Sequence, residues 1–165
     1  MVSMEYMLMS ALVLALIAVV YHLGSKIIVL RRSQVRIDQI RFINDSAVDE
    51  ALTEILWVWD WTDFDDYWKK FSPRVNPEAN KKRRIARNYY VALAEMVRKG
   101  DLEIEFLYKL NPSGVTRYWE KIGPIAHEFR KRNNYPDYLE PVEYLATRID
   151  EFRKNLGITG PNQVK

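Results

Sequence analysis

Apolar residues are distributed along this chain in two ways. From Met7 to Leu30 they run almost unbroken: MLMSALVLALIAVVYHLG over residues 7–24, then IIVL at 27–30, interrupted by Ser25 and Lys26. Beyond that point they recur every three or four residues, the spacing of one helix face, and strand-like alternation is absent. The first pattern predicts a membrane span, because about 20 apolar residues rising ~1.5 Å each cross a hydrocarbon core of ~30 Å. A core helix of a soluble domain would carry a polar face, and residues 11–20 (ALVLALIAVV) carry none. A cleaved signal peptide would show positive charge ahead of the apolar run and an A-x-A site behind it. Here the only charge in the first seven residues is Glu5, and no such site follows. The segment reads as an uncleaved anchor over residues 1–30.

The flanks orient it. No Lys or Arg precedes the span, whereas Lys26, Arg31, Arg32, Arg36 and Arg41 follow it. The positive-inside rule then expects the N-terminus outside and the rest of the chain in the cytoplasm. Tyr6 and Tyr21 suit interfacial positions, and Lys26 can reach the headgroups along its aliphatic stem. His22, near the inner boundary, is read as a polar interface residue before a ligand or proton relay. Small residues Ala11, Ala15 and Ala18 recur at four and three and so share one face. With His22 they form the stripe expected to receive a partner's transmembrane helix.

Past the anchor, Val35, Ile37, Ile40 and Ile43 continue a helix without Gly or Pro, so anchor and stalk (residues 31–44) are expected to be one rod. Asp45 or Ser46 can cap the next helix, which bears Ala51, Leu52, Ile55 and Leu56. Asn76 and Pro77 open a helix over 77–99 that Gly100 closes. Its apolar face is expected at Ile85, Tyr89, Ala92 and Met96, widened by Ala86, Leu93 and Val97. Asp101 is expected to cap a short helix bearing Leu102, Phe106, Leu107 and Leu110. Residues 115–132 form another helix, with a kink expected at Gly123-Pro124. Pro141 opens a last helix to about Leu156, and the tail 157–165 reads as unstructured. The expected fold class is all-α: a single-pass N-terminal transmembrane helix followed by a cytoplasmic multi-helix bundle over residues 45–156.

Residues 57–68, WVWDWTDFDDYW, look like a site: four tryptophans and four aspartates within a dozen positions. As one helix, however, Trp57, Trp61, Phe64, Trp68 and Phe71 fall on a single face, with Trp59 and Tyr67 off it. Trp57, Trp61, Phe64 and Trp68 are expected to be mostly buried against the helix at 85–97. Thr62 and Asp65 resemble a capping box, first-turn aspartates suit the helix dipole, and Asp66 has Lys69 and Lys70 one turn on. A calcium loop needs oxygens at alternating positions, a central Gly and a terminal Glu; counted from Asp60 the fifth position is Phe64, the sixth is Asp65, and no Glu follows until Glu78. A core stripe with a solvated acidic face is favoured over a cation or catalytic site.

Charge and composition narrow the chemistry. The net charge of +3 lies wholly beyond residue 30, too mild for a dedicated nucleic-acid binder. The densest basic run is KKRRIAR: Lys81, Lys82, Arg83, Arg84 and Arg87 form the candidate face for lipid headgroups or a protein partner. Nucleic acid ranks below both, since no zinc finger, RNA-binding aromatic signature or helix-turn-helix accompanies the run; HEFRKR at 127–132 is weaker. The chain has no cysteine and two histidines far apart, His22 and His127. That excludes disulfides, thiolate metal sites and cysteine nucleophiles, and argues against a His-rich metal centre. There is no P-loop, no G-x-G-x-x-G, no G-x-S-x-G and no H-E-x-x-H. No cofactor, metal or catalytic residue is expected.

The stretch NYYVALAEMVRKGDLEIEFLYKL, followed by TRYWEKIGPIAHEFRKR, resembles an uncharacterised prokaryotic family, a domain of unknown function. The closest pieces are Arg98-Lys99-Gly100-Asp101, Leu107-Tyr108, Arg117-Tyr118-Trp119-Glu120 and Pro124. The resemblance covers roughly residues 35–155. It implies one N-terminal membrane helix and a small all-helical domain, and it brings no activity and no site residue.

The functional expectation is a non-catalytic accessory or structural subunit of a larger integral membrane complex, with the bilayer and the other subunits as partners. The runner-up is a membrane-tethered regulatory or nucleic-acid-responsive module using residues 81–87. An enzyme built on the acidic segment comes third.

Overall fold

A computed structural model describes residues 4–43 and 45–158, and among these there are only helices and connecting turns. The chain divides into two compact units, Met1–Asp45 and Ser46–Lys165. Residues 159–165 of the expected tail lie outside the described residues. So do the side chains of Tyr6, Arg31, Arg32, Val35, Arg36, Ile37 and Ile43.

The first unit is one helix, α1 (Met4–Ile43), 40 residues without a break. Within it, Met9–Ile27 is long and apolar enough to span a membrane, and none of that stretch is buried. The anchor and the expected stalk are thus a single helix. Two of its polar groups are satisfied locally. Ser10 Oγ donates to the Met7 carbonyl at 2.9 Å and Ser25 Oγ to the His22 carbonyl at 2.8 Å. These hydroxyls need no partner chain to be tolerated in lipid.

The second unit begins with α2 (Ser46–Thr53), which buries Val48 and Ala51 and runs straight into a π-helical turn, Glu54–Val58. That turn closes with the Trp59 N–H donating to the Glu54 carbonyl at 2.9 Å, five residues back. At Trp59 the chain becomes extended (φ −72°, ψ 135°). Helix returns only at α3 (Phe64–Phe71).

This break corrects the expected aromatic stripe. A single helical phase does not run from Trp57 to Phe71, so the four-three-four-three spacing does not define a face. Trp57 is 69 % exposed and Trp68 39 %, while the two rings expected off the face are buried, Trp59 at 6 % and Tyr67 at 1 %. Trp61, Phe64 and Phe71 are half-buried. Trp59 stacks on Phe71 with centroids 4.4 Å apart, and Trp61 sets its edge against Tyr67 at 5.0 Å.

The cap also lies one residue beyond the expected Thr62–Asp65 pair. Asp63 accepts from the Asp66 N–H at 2.9 Å, and the Asp66 carboxylate accepts from the Thr62 N–H at 3.1 Å. This is a reciprocal capping arrangement shifted by one position.

Helix α4 (Pro77–Lys99) has the predicted ends. Asn76 accepts from the Ala79 N–H at 2.9 Å, Pro77 opens the first turn, and Gly100 closes the last in the left-handed region at φ 76°. Its buried stripe is Ala79, Ala86, Tyr90 and Leu93, with Tyr89 and Ala94 beside it. The expected centre at Ile85, Ala92 and Met96 is a half-buried flank. The shift arises because α4 is covered from two directions, by α2 and by the last helix.

Asp101 does not cap the next helix. Its N–H donates back to the Met96 carbonyl at 2.9 Å to finish α4, and α5 (Ile104–Leu110) starts after Glu103 without a side-chain cap. Helix α6 (Gly114–Asn133) continues through Pro124, whose ring is exposed. At Gly123 a Cβ would stand 3.2 Å from the Trp119 ring, so this buried position has little room for a larger residue.

Leu139, in the left-handed region at φ 59°, leads into α7 (Glu140–Asn155). This helix packs against α4, α5 and α6. The core gathers around it: Val142, Leu145 and Ile149 meet a shell that includes Leu93, Leu107, Val115 and Ile122, all buried.

Candidate functional site

The acidic segment has structural work at three of its four aspartates. Asp63 caps α3. Asp65 pairs with Arg132 at the end of α6, and the Arg132 hydrogen bond holds its carboxyl below the usual value. Asp66 takes the Lys70 ammonium at 2.8 Å; that bond, then the Thr62 N–H, lowers its pKa. Asp60 is exposed. No group of three or more His, Asp or Glu among the described residues could hold a metal.

The basic run is divided among different jobs rather than forming one uninterrupted face. Lys82 bridges Glu50 at 2.9 Å and Glu54, tying α4 to α2 and the π-turn. The Glu54 hydrogen bond, then that of Glu50, raises the Lys82 pKa, and the Lys82 bond lowers that of Glu54. Arg83 donates to the Tyr67 hydroxyl at 3.2 Å and to Asn80 at 2.6 Å. Arg87 reaches only as far as Asn88, with two donors at 3.1 Å. Lys81 and Arg84 are exposed. On α1, Ala11, Ala15, Ala18 and His22 are all exposed and, at 100° per residue, fall on one face.

Two features were not visible in the sequence. The first is an open groove of about 440 Å³ lined by Leu56, Trp57, Arg117, Glu120 and Lys121. Arg117 sits over the exposed Trp57 ring, 5.6 Å from its centroid. Lys121 donates to the Leu56 and Trp59 carbonyls at 3.0 and 2.6 Å and lies over Trp61 at 5.0 Å. Burial lowers its pKa. A helical spacing of i, i+3, i+4 already aligned Arg117, Glu120 and Lys121. What it lacked was the π-turn opposite.

The second feature is a cluster of buried tyrosines. Tyr67, Tyr90 and Tyr118 are all but inaccessible, and the Tyr90 and Tyr118 rings lie 4.7 Å apart. Neither the Tyr90 nor the Tyr118 hydroxyl has a hydrogen-bond partner. Burial pushes the phenol pKa values of Tyr67, Tyr90 and Tyr118 up. All of them are therefore neutral donors at physiological pH.

No curated protein and no solved structure matches the chain, and no catalytic family is identified. One family model does match, over residues 8–149, so the similarity begins inside the apolar part of α1 rather than after it. That span is well over half of the 165 residues, and the chain belongs to the family described as Domain of unknown function (DUF4760).

Proposed function

We propose that this protein is a non-catalytic accessory subunit of a larger integral membrane complex, held by α1 with its N-terminus outside and its second unit in the cytoplasm. The observation that carries the reading is the face of α1. Ala11, Ala15, Ala18 and His22 align on a stretch of which nothing is buried, opposite a face of Leu12, Leu16, Val20 and Leu23. Small side chains admit a neighbouring helix closely, and an imidazole in or near lipid gains from a partner. Orientation is supported by the excess of Lys and Arg after the span.

Purification in mild detergent followed by identification of co-purifying chains tests the proposal. Replacing Ala11, Ala15 and Ala18 together with Leu should leave insertion intact and reduce recovery of the partner. Full co-purification of that triple variant would sink the stripe as the contact. Because the chain has no cysteine, one placed at the exposed Lys99 is a unique topology label. It should resist an impermeant thiol reagent in intact cells, and ready labelling would overturn the orientation.

The second reading, a tethered regulatory module using residues 81–87, draws support from the exposure of Lys81 and Arg84. It is weaker because Lys82 is held within the fold.

A further inference from the structure

The end of the π-turn holds apolar surface outward. Trp57 and Val58, consecutive in the chain, are each 69 % exposed, more than any other large apolar side chain among the described residues of the second unit. The projection is fixed from two sides. The Trp59 N–H closes the turn on the Glu54 carbonyl, and Lys82 holds Glu54 from α4. Lys121 donates to the Leu56 and Trp59 carbonyls from α6. Trp57 and Val58 cannot turn inward without breaking these bonds and lifting Trp59 off Phe71. Single exposed apolar residues are ordinary on a protein surface. A braced pair at a π-turn, a feature frequent at functional sites, is not.

The surroundings of the pair specify what it meets. Leu56 and Trp57 on one side and Arg117, Glu120 and Lys121 on the other line the open groove of about 440 Å³. The Arg117 guanidinium lies over the Trp57 ring, 5.6 Å from its centroid. An indole beside a cation suits the headgroup level of a bilayer, where the ring fills the boundary with the acyl chains and the cation meets phosphodiesters. Two cations and one acid give the lining a modest positive charge, complementary to a phosphodiester surface. The chain brings such a surface with it. Residues 28–56 are all that separates Trp57 from the apolar stretch Met9–Ile27. A tether of that length keeps the local concentration of headgroups high, so a contact of a few side chains suffices. A protein partner could also use a Trp beside an Arg; the tether favours the bilayer, and the test below separates the two.

We propose that the Trp57–Val58 projection, with Arg117 beside it, docks the second unit on the phospholipid headgroups of the membrane that α1 spans. Trp57 and Val58 enter at headgroup level, Arg117 takes phosphodiester oxygens, and Lys121 braces the turn from behind. The inference rests on the reading of α1 as a membrane span and is independent of the accessory-subunit role.

The test uses the full-length chain in vesicles of phosphatidylcholine and phosphatidylglycerol, with no other protein present. Because the chain has no cysteine, a nitroxide can be attached at one position at a time: Val58→Cys, the exposed Lys99→Cys, and Leu16→Cys within the span. Electron paramagnetic resonance compares collisions of each nitroxide with oxygen, which concentrates in lipid, and with a water-soluble nickel chelate. The oxygen-to-nickel ratio should be high at Leu16, intermediate at Val58 and low at Lys99. Trp57→Ala combined with Arg117→Gln should lower the Val58 ratio to that of Lys99 and leave Leu16 unchanged. A low ratio at Val58 with a high one at Leu16 overturns the docking and keeps the span. A low ratio at Leu16 removes the span, and the proposal with it. If collisions with both reagents fall at Val58, a second copy of the chain covers the projection and the proposal fails. It fails too if Lys99 matches an intermediate Val58, since adherence is then general. A Val58 ratio that survives the double substitution likewise overturns it, because the label alone would be seeking lipid.

Discussion

Lys121 reaches from α6 to the end of the π-turn and donates to the Trp59 carbonyl at 2.6 Å. With its second bond, to Leu56, the ammonium satisfies two carbonyls that the end of the turn leaves without intrahelical partners. Lys121→Met keeps the aliphatic stem and removes both bonds. Hydrogen bonds to charged groups are worth ~1.5–3 kcal/mol, so the variant should lose about 2–3 kcal/mol. Urea unfolding at constant m-value measures it, and an unchanged midpoint would show that water replaces the ammonium at no loss.

Trp59 and Trp57 are two residues apart and should respond in opposite ways. Trp59→Ala removes a buried ring stacked on Phe71 and should cost ~3–5 kcal/mol. Trp57→Ala removes an exposed ring and should change stability by less than about 0.5 kcal/mol. Comparable losses at both positions would restore the continuous helix that the extended backbone at Trp59 denies.

Tyr90→Phe should be neutral or slightly stabilising, by ~0–1 kcal/mol, because it deletes a buried hydroxyl that has no partner and keeps the ring against Tyr118. A loss above about 1 kcal/mol in the same unfolding assay would reveal a hydrogen bond to an internal water.

Acid should weaken the second unit. Lys82, Arg132 and Lys70 hold Glu54, Asp65 and Asp66 below their ordinary values of 4.5, 3.8 and 3.8. A carboxylate depressed in the folded state stabilises fully above its unfolded value, and that contribution is lost as pH falls through the folded one. Stability should therefore decline from about pH 4.5 downward, less steeply in Lys82→Met, which frees Glu54 of its partner. All three acids are solvated, so added salt should shrink the effect. Urea midpoints at about pH 6 and about pH 3 decide it, and an identical slope in Lys82→Met would exclude the Glu54 pair as a source.

What was legible in the sequence was what neighbouring residues decide among themselves. Asn76, Pro77 and Gly100 delimit α4 by local backbone chemistry, and all three do what they were expected to do. The unbroken apolar run and the absence of Gly and Pro over 31–42 gave one continuous helix, as found. The aromatic segment failed because a periodicity argument assumes one uninterrupted phase, and a π-turn followed by extended backbone resets it. The candidate sites depended on separations that no local pattern encodes. Lys82 finds Glu54 across 28 residues, and Lys121 finds Trp59 across 62. Read along the chain, KKRRIAR is one feature; folded, it is a strut at Lys82, a half-buried pair at Arg83 and Arg87, and two solvated cations.

The position of α7 in the order of synthesis has a consequence of its own. It packs on α4, α5 and α6, yet it is the last of the described helices to leave the ribosome. The apolar stretch ending at Ile27 is made well before it. At ~5–20 residues per second, the interval from the end of α4 at Lys99 to the end of α7 at Asn155 is roughly 3–11 s, and that from the end of α6 at Asn133 roughly 1–4 s. During those intervals the apolar faces of α4 and α6 have been made but lack the helix that covers them. A chain truncated ahead of Glu140 would be permanently in that condition, with Leu93 and Ile122 uncovered. Completion of the core of the second unit therefore waits on the arrival of one 16-residue helix.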